Sequence, residues 1–240
     1  MKQNLVSRFF HLLTPLMFLG LGNAYAQAGI TIAPVVINLD PSRTLSSQTS
    51  FNNVTNKIIS FEAKIQTWSM KDGETILSDT RDILVNPNTF QLPPGATQII
   101  RIGLRKKPSD TELTYRLIVT QLNEGNIITN QQGIAIQILP AFSLPVYISS
   151  PSYKPAVSYG VVKDGNDLLL KATNSGTKHQ TYNNLTVSSG TLAFVVPSRA
   201  VLAGASFTIR LPGFAAASAP LKLMYLDYTQ VQRTETVPLP

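Results

Sequence analysis

Apolar residues recur at every second position along most of the chain, in short runs separated by Gly, Pro, Asn and Asp. Period two is the signature of a strand with one buried face. Ile59, Phe61, Ala63 and Ile65 alternate with Ser60, Glu62, Lys64 and Gln66, and Leu113, Tyr115, Leu117 and Val119 alternate with Thr114, Arg116, Ile118 and Thr120. The pattern predicts strands over 30–39, 49–55, 58–69, 74–85, 97–104, 112–122 and 133–148. Asp72-Gly73 supplies the positive φ of a tight hairpin turn, and Leu92-Pro93-Pro94-Gly95 reads as a second turn. Ser149-Ser150-Pro151-Ser152 interrupts the pattern as a short linker. It restarts as strands over 157–163, 167–173, 183–187, 192–196, 205–211, 219–228 and 232–238, with turns at Asp164-Gly165 and Asn174-Ser175-Gly176. Helical periodicity is nearly absent. Seven short strands per half with turn signals between them predict an all-β chain of two immunoglobulin-like β-sandwich lobes joined by a short linker. The expected division is 27–148 and 149–240. No sequence repeat links the halves; they share architecture.

The stretch Gly133–Ile148 breaks a rule. Ile134, Ile136, Ile138, Pro140, Phe142, Leu144, Val146 and Ile148 form one wholly apolar face. Pro140 and Pro145 sit inside it, and proline, which cannot donate to a ladder, is confined to edges, strand starts and bulges. A long apolar edge invites pairing with another chain, and proteins normally blunt it.

The first 26 residues carry Lys2 and Arg8, then an apolar core from Phe9 to Leu21, then Ala24-Tyr25-Ala26. That is the layout of a secretory signal peptide cleaved after Ala26, and no later stretch approaches membrane length. Its removal takes two cations and no acids, so the formal charge falls from +7 to +5. There is no cysteine, so an exported chain of this size must hold itself by packing alone. The densest basic stretch, Arg101, Arg105, Lys106 and Lys107, reads as a solvated strand end, without the interleaved aromatics of nucleic-acid binding.

Candidate chemistry is sparse. His179 is the only histidine after the signal segment and falls in a polar stretch, where a loop role is expected. With no cysteine, Cys-His pairs and the usual zinc sets are excluded, and no serine sits in a nucleophile elbow. Asp72 with Glu74, and Asp164 with Asp167, sit at Asp-Gly turns, where turn chemistry explains them. Asn53-Val54-Thr55 and Asn184-Leu185-Thr186 match the glycosylation pattern, which is common by chance. No catalytic residue, metal site or cofactor is expected.

Four segments resemble periplasmic pilus-assembly chaperones of the PapD type: Ile37–Arg43 (INLDPSR), Ile83–Ile102 (ILVNPNTFQLPPGATQIIRI), Thr114–Leu122 (TYRLIVTQL) and the alternating 133–148 strand. Asn174-Ser175-Gly176 and His179 extend the likeness weakly into the second half. The long alternating strand, its Ser143–Tyr147 ending (SLPVY) and the missing cysteines are most similar to the archaic, spore-coat-U-like branch. The resemblance implies two immunoglobulin-like lobes with a cleft between them and no enzymatic activity or ATP use. It also implies a periplasmic chaperone whose partners are incomplete pilus or coat subunits and an outer-membrane usher. Such a chaperone lends an edge strand to complete the subunit, a recognition mode of wide occurrence. Ile134, Ile136 and Ile138 would be the donor side chains, with Phe142 as a further candidate. The alternative is that they face their own core, which the other strands already supply with apolar residues. The resemblance also makes Arg43 the cleft arginine that holds the subunit's C-terminal carboxylate, work that suits a forked, permanently charged guanidinium. The lysine that joins it in the family has no counterpart, since neither Lys nor Arg occurs between Arg116 and Lys154. Leu144 or a neighbour takes its place, and Arg116 and Lys154 are the candidate substitutes.

Two other readings compete. A pilin or adhesin of the same system would have a single lobe and a disordered N-terminal donor extension. A secreted carbohydrate-binding sandwich would need clustered carboxylates or exposed aromatics, and the one tryptophan is Trp68. The exposed strand also permits self-association.

Overall fold

The computed structural model describes residues 29–106, 109–122 and 139–240. The predicted signal segment, residues 1–26, and the predicted donor residues Ile134, Ile136 and Ile138 lie outside them.

The first lobe uses β1 (Ile30–Ala33), β2 (Ile37–Leu39), β3 (Ser46–Asn53), β4 (Ile59–Lys71), β5 (Glu74–Asp79), β6 (Ile83–Asn86), β7 (Thr89–Leu92), β8 (Thr97–Leu104), β9 (Leu113–Gln121) and β10 (Ala141–Ile148). One sheet runs β1-β3-β8-β6. The other runs β2-β10-β9-β4-β5, with β7 also on β4. Alternation along each strand closes one core between the sheets, centred on the buried Phe51, Phe61, Ile100, Leu117 and Val146. Phe61 and Phe90 stack at 5.4 Å between ring centroids.

Where the strands differ from expectation, proline explains most of it. The predicted strand 30–39 is two strands in different sheets, because Pro34 has no N–H to continue a ladder. The four-residue β7 was not predicted, since it is wedged between Pro87 and Pro93. The predicted 74–85 strand is likewise divided into β5 and β6. At Asp72-Gly73 both residues have positive φ, 53° and 86°, as a primed hairpin turn requires.

The second lobe uses β11 (Val157–Asp164), β12 (Asp167–Asn174), β13 (Gln180–Ser189), β14 (Leu192–Val196), β15 (Arg199–Val201), β16 (Ser206–Leu211), β17 (Leu221–Leu226) and β18 (Gln232–Val237), with a 3-10 turn at Phe214–Ala216. Its sheets run β11-β12-β16 and β14-β13-β17-β18, and β15 pairs with β13. Asp164 and Asp167, close in sequence, both bind Arg210 across the hairpin end.

Each lobe contains the same buried asparagine corner, a repeat that the sequence reading missed. Asn53 Nδ2 donates to the carbonyls of Lys57 at 2.7 Å and Leu92 at 2.8 Å. Asn174 Nδ2 donates to Lys178 at 2.7 Å and Val201 at 3.2 Å. In both lobes the asparagine's own N–H donates to the alanine of a Gly-Ala pair, Ala96 or Ala205. The shared signal is an asparagine followed four residues later by lysine, too sparse to register as a repeat. Burial of Asn53 also removes Asn53-Val54-Thr55 as a glycan acceptor.

Candidate functional site

The lobes meet at an interface built from residues that leave the first lobe's core. Along β4 the odd positions up to Ile65 face that core, while Trp68 and Met70 point the other way and join the second lobe's apolar cluster with Leu202, Ala205 and Phe207. Tyr147 of β10 does the same from the cleft face of its strand. Trp68 is thus 5% exposed, and its placement offers no surface for sugar stacking.

A polar lock lies beside these rings. The Glu112 carboxylate accepts from the His179 backbone N–H at 2.9 Å and sits 2.6 Å from His179 Nδ1. Tyr147 stacks on the imidazole at 3.6 Å with planes 9° apart. His179 lies in the loop between β12 and β13, as expected, but it is 2% exposed and joins the lobes. A single polar stretch of sequence could not reveal this, because Glu112 is far away in the chain. Gly176 completes the joint. A Cβ there would come within 2.4 Å of the linker backbone at Lys154 and Ala156, so only glycine lets the linker lie this close.

Between the lobes opens a cavity of about 600 Å³. Its wall includes Asn38, Asp40, Trp68, Arg116, Pro145 and Tyr147 from the first lobe, and Lys178, Thr181, Arg199 and Tyr228 from the second. Each of its three cations lies over an aromatic face. Arg116 is 3.8 Å from the Trp68 ring centre, Lys178 is 4.3 Å from that of Tyr228, and Arg199 is 5.1 Å from that of Phe207. Burial pushes the Arg116 guanidinium below its usual range, against a small opposing effect of Tyr147, and burial does the same to Arg199. Among the described residues none of the three pairs with a carboxylate. Among the described residues Asp40 is the one acid in the wall, and it accepts from the Ser42 N–H and hydroxyl.

The expected site residues fall out differently. Arg43 is exposed on the turn after β2, where its N–H donates to the Asp40 carbonyl, and it is not part of the cavity wall. Turn geometry carries it past the wall residue Asp40. Of the two candidate second cations, Arg116 is in the wall and Lys154 sits exposed on the linker. Leu144 is 4% exposed in the first-lobe core, so its position could not present a cation to the cleft. Period two gives the cleft face of β10 to Ser143, Pro145 and Tyr147. Phe142 is half-buried and packs edge-on against Phe51 at 5.9 Å in its own lobe. The second-lobe cations Lys178 and Arg199 were missed, since nothing local distinguishes them from surface charges.

The strand β10 carries the other notable geometry. It pairs with β9 along all eight residues, Ala141 to Ile148. On its other side, parallel β2 covers only Val146, Tyr147 and Ile148. From Ala141 to Pro145 that edge has no strand partner among the described residues, and Pro145 fits there because it has no N–H to leave unpaired.

Comparison with known proteins agrees with this architecture. Residues 29–149 match the family model described as pili and flagellar-assembly chaperone, PapD N-terminal domain. No curated protein matches the sequence. A chain of the CsuC–CsuE chaperone–tip adhesion subunit complex from the archaic Csu pili of Acinetobacter baumannii superposes with TM-score 0.67 at 15% identity, covering 88% of this chain and 98% of that one. The YadV chaperone gives 0.66 at 11% identity, covering 88% and 100%. The Salmonella enterica SafA pilin–SafB chaperone complex gives 0.60 at 16% identity, covering 88% and 96%. At such identities these likenesses speak for the fold. The family match spans just over half of the residues, and by it the chain belongs to the pilus-assembly chaperones with a PapD N-terminal domain.

Proposed function

We propose that this protein is a periplasmic chaperone of the archaic chaperone–usher branch, exported by a cleaved signal peptide. In this reading it completes an incomplete immunoglobulin-like pilus or coat subunit with its own edge strand and passes it to an outer-membrane usher. The observation that carries the reading is the edge of β10 at Ala141–Pro145, without a strand partner among the described residues, which follows the run Ile134, Ile136 and Ile138 in sequence. Each buried isoleucine contributes roughly 1.5–3 kcal/mol, so three supply about 5–9 kcal/mol before ordering costs. Ladder hydrogen bonds along the open edge add to this and make no demand on the subunit's side chains. Phe142, anchored against Phe51, marks the border between the lobe's own core and the donated segment.

The same edge implies where the captured strand ends. An added strand along Ala141–Pro145 meets β2 at Val146 and must stop or turn away, beside the cavity that Pro145 and Arg116 line. A chain terminus fits there, and a cationic wall favours the carboxyl end. Arg116 is the first-lobe anchor in this reading, and Arg43, on the exposed turn next to Asp40, adds positive charge at the mouth. The CsuC–CsuE and SafB–SafA structures are chaperone–subunit complexes, which supports a subunit partner here.

The test is Ile136→Lys in the full-length chain, co-expressed with a small secreted subunit encoded beside it. The expected result is a folded protein that no longer co-purifies with the subunit. Unchanged co-purification would overturn the donor-strand reading.

A further inference from the structure

We propose that the second lobe shares in holding the captured chain end: Lys178 and Arg199 pair with acidic groups close to the terminal carboxylate while Arg116 takes the carboxylate itself. The partner this selects is a polypeptide with an acidic C-terminal segment, and its anchor straddles the two lobes. The inference rests on the donor-strand reading for the path that brings a chain end to the cavity.

Charge is the first argument. Among the described residues three cations and one acid line the cavity, and the acid's hydrogen bonds from the neutral Ser42 leave its charge in place, so positive charge is in excess. A single carboxylate on Arg116 would leave Lys178 and Arg199, both on the second lobe, with Asp40 alone as counter-charge in the wall. Two or three negative charges on one occupant balance the wall.

Presentation is the second. A guanidinium lying flat on an aromatic ring is held by the ring face, and its in-plane N–H donors remain free for a carboxylate. Arg116 lies over Trp68 and Arg199 over Phe207; each gives one N–H to a main-chain carbonyl, of Ser143 and of Pro197 at 3.4 Å, and keeps its remaining donors for an anion. Burial disfavours both charges, and an anion in the cavity offsets that cost. Lys178, over Tyr228, contributes a compact charge from the opposite wall.

Placement is the third. Arg116 comes from β9, Lys178 from the turn after β12 and Arg199 from β15, so no single element supplies the site. Lys178 and the lock residue His179 are adjacent in sequence. The Glu112–His179 contact therefore fixes the distance between the two halves of the anion site. The cavity volume of about 600 Å³ lies within the range of roughly 300–1,000 Å³ usual for ligand sites.

The experiment uses the full mature chain and three ten-residue peptides of identical sequence up to their last three residues. One ends in Asp-Thr-Asp with a free carboxylate, one is its amide, and one ends in Asn-Thr-Asn with a free carboxylate. Binding is followed by calorimetry and by the fluorescence of Trp68, the only tryptophan. The acidic peptide is expected to bind about tenfold tighter than the neutral one, an effect that weakens with added salt. The double variant Lys178→Gln and Arg199→Gln, which keeps long side chains, should bind both free-carboxylate peptides alike. Arg116→Gln should remove the difference between free and amidated ends. A double variant that keeps the full acidic preference overturns the inference, and so does a wild-type protein that fails to bind the acidic peptide. Either result leaves the donor-strand reading standing, because that reading fails only if Ile136→Lys still captures its subunit.

Discussion

The paired asparagine corners allow a matched experiment. Asn174 is fully buried, and its amide makes four bonds to main chain. Nδ2 donates to Lys178 and Val201, and Oδ1 accepts from the N–H groups of Ala156 and Gly176, each at 3.0 Å. In Asn174→Ala all four groups lose their side-chain partner. Ala156 is exposed and water can replace the amide there, whereas Val201 is 0% exposed and its carbonyl stays dry. Lys178 and Gly176 are intermediate. A buried polar group left unpaired costs about 1–3 kcal/mol. One fully dry group and two partly dry ones give a loss of about 3 kcal/mol, near the upper end for ordinary single substitutions. Asn53→Ala should cost about the same, because its amide holds the equally buried Leu92 carbonyl, and the same about 3 kcal/mol range applies. The two differ in consequence. Only Asn174 grips the linker, through Ala156, so only Asn174→Ala should also disturb the cleft. Urea unfolding followed by circular dichroism measures the first effect, and the emission of Trp68 in the folded protein reports the second. A loss under about 1 kcal/mol in either variant would show that water replaces the amide fully and would refute the reasoning.

Two further outcomes are expected. Glu112→Ala leaves the His179 N–H and ring nitrogen without their acceptor in a buried interface. It should cost about 2–4 kcal/mol and lower the melting temperature, and an unchanged melting curve would show that the lock adds nothing. Acid should weaken the second lobe through Asp227. Burial pushes this carboxyl up, but hydrogen bonds from Thr229, Arg233 and Val231 outweigh it and hold the pKa at about 2, below the ordinary 3.8. The bonded form is the carboxylate, so its stabilisation is complete above 3.8 and is lost as pH falls toward about 2. Asp227→Asn should flatten that part of the stability-against-pH curve, and an unaltered slope would remove Asp227 as its source.

Much of the architecture was legible in period-two patterning, because burying one face of a strand leaves its mark at every second residue. The strand Leu192–Val196 matches its expected bounds, and Asp72-Gly73 turns as its composition requires. Alternation does not say which sheet a strand joins, so the single run 30–39 conceals the point where Pro34 sends it into two sheets. Around the cleft, sequence was a weaker guide. Leu144 fills the position where the family likeness places a lysine, yet its register turns it into the core.

By itself the sequence determined the all-β class, the two-lobe grammar and the unusual apolar run from Ile134 to Ile148, all of them carried by local spacing. The tertiary structure alone decided that β2 covers β10 only from Val146 onward, with no strand on that edge before it among the described residues. It alone brought Glu112 to His179, and Arg116, Lys178 and Arg199 around one cavity. The reason is physical. Alternation is a property of neighbours along the chain, whereas the coupling of charges across a cleft depends on distances that close only when two separately folded lobes pack together.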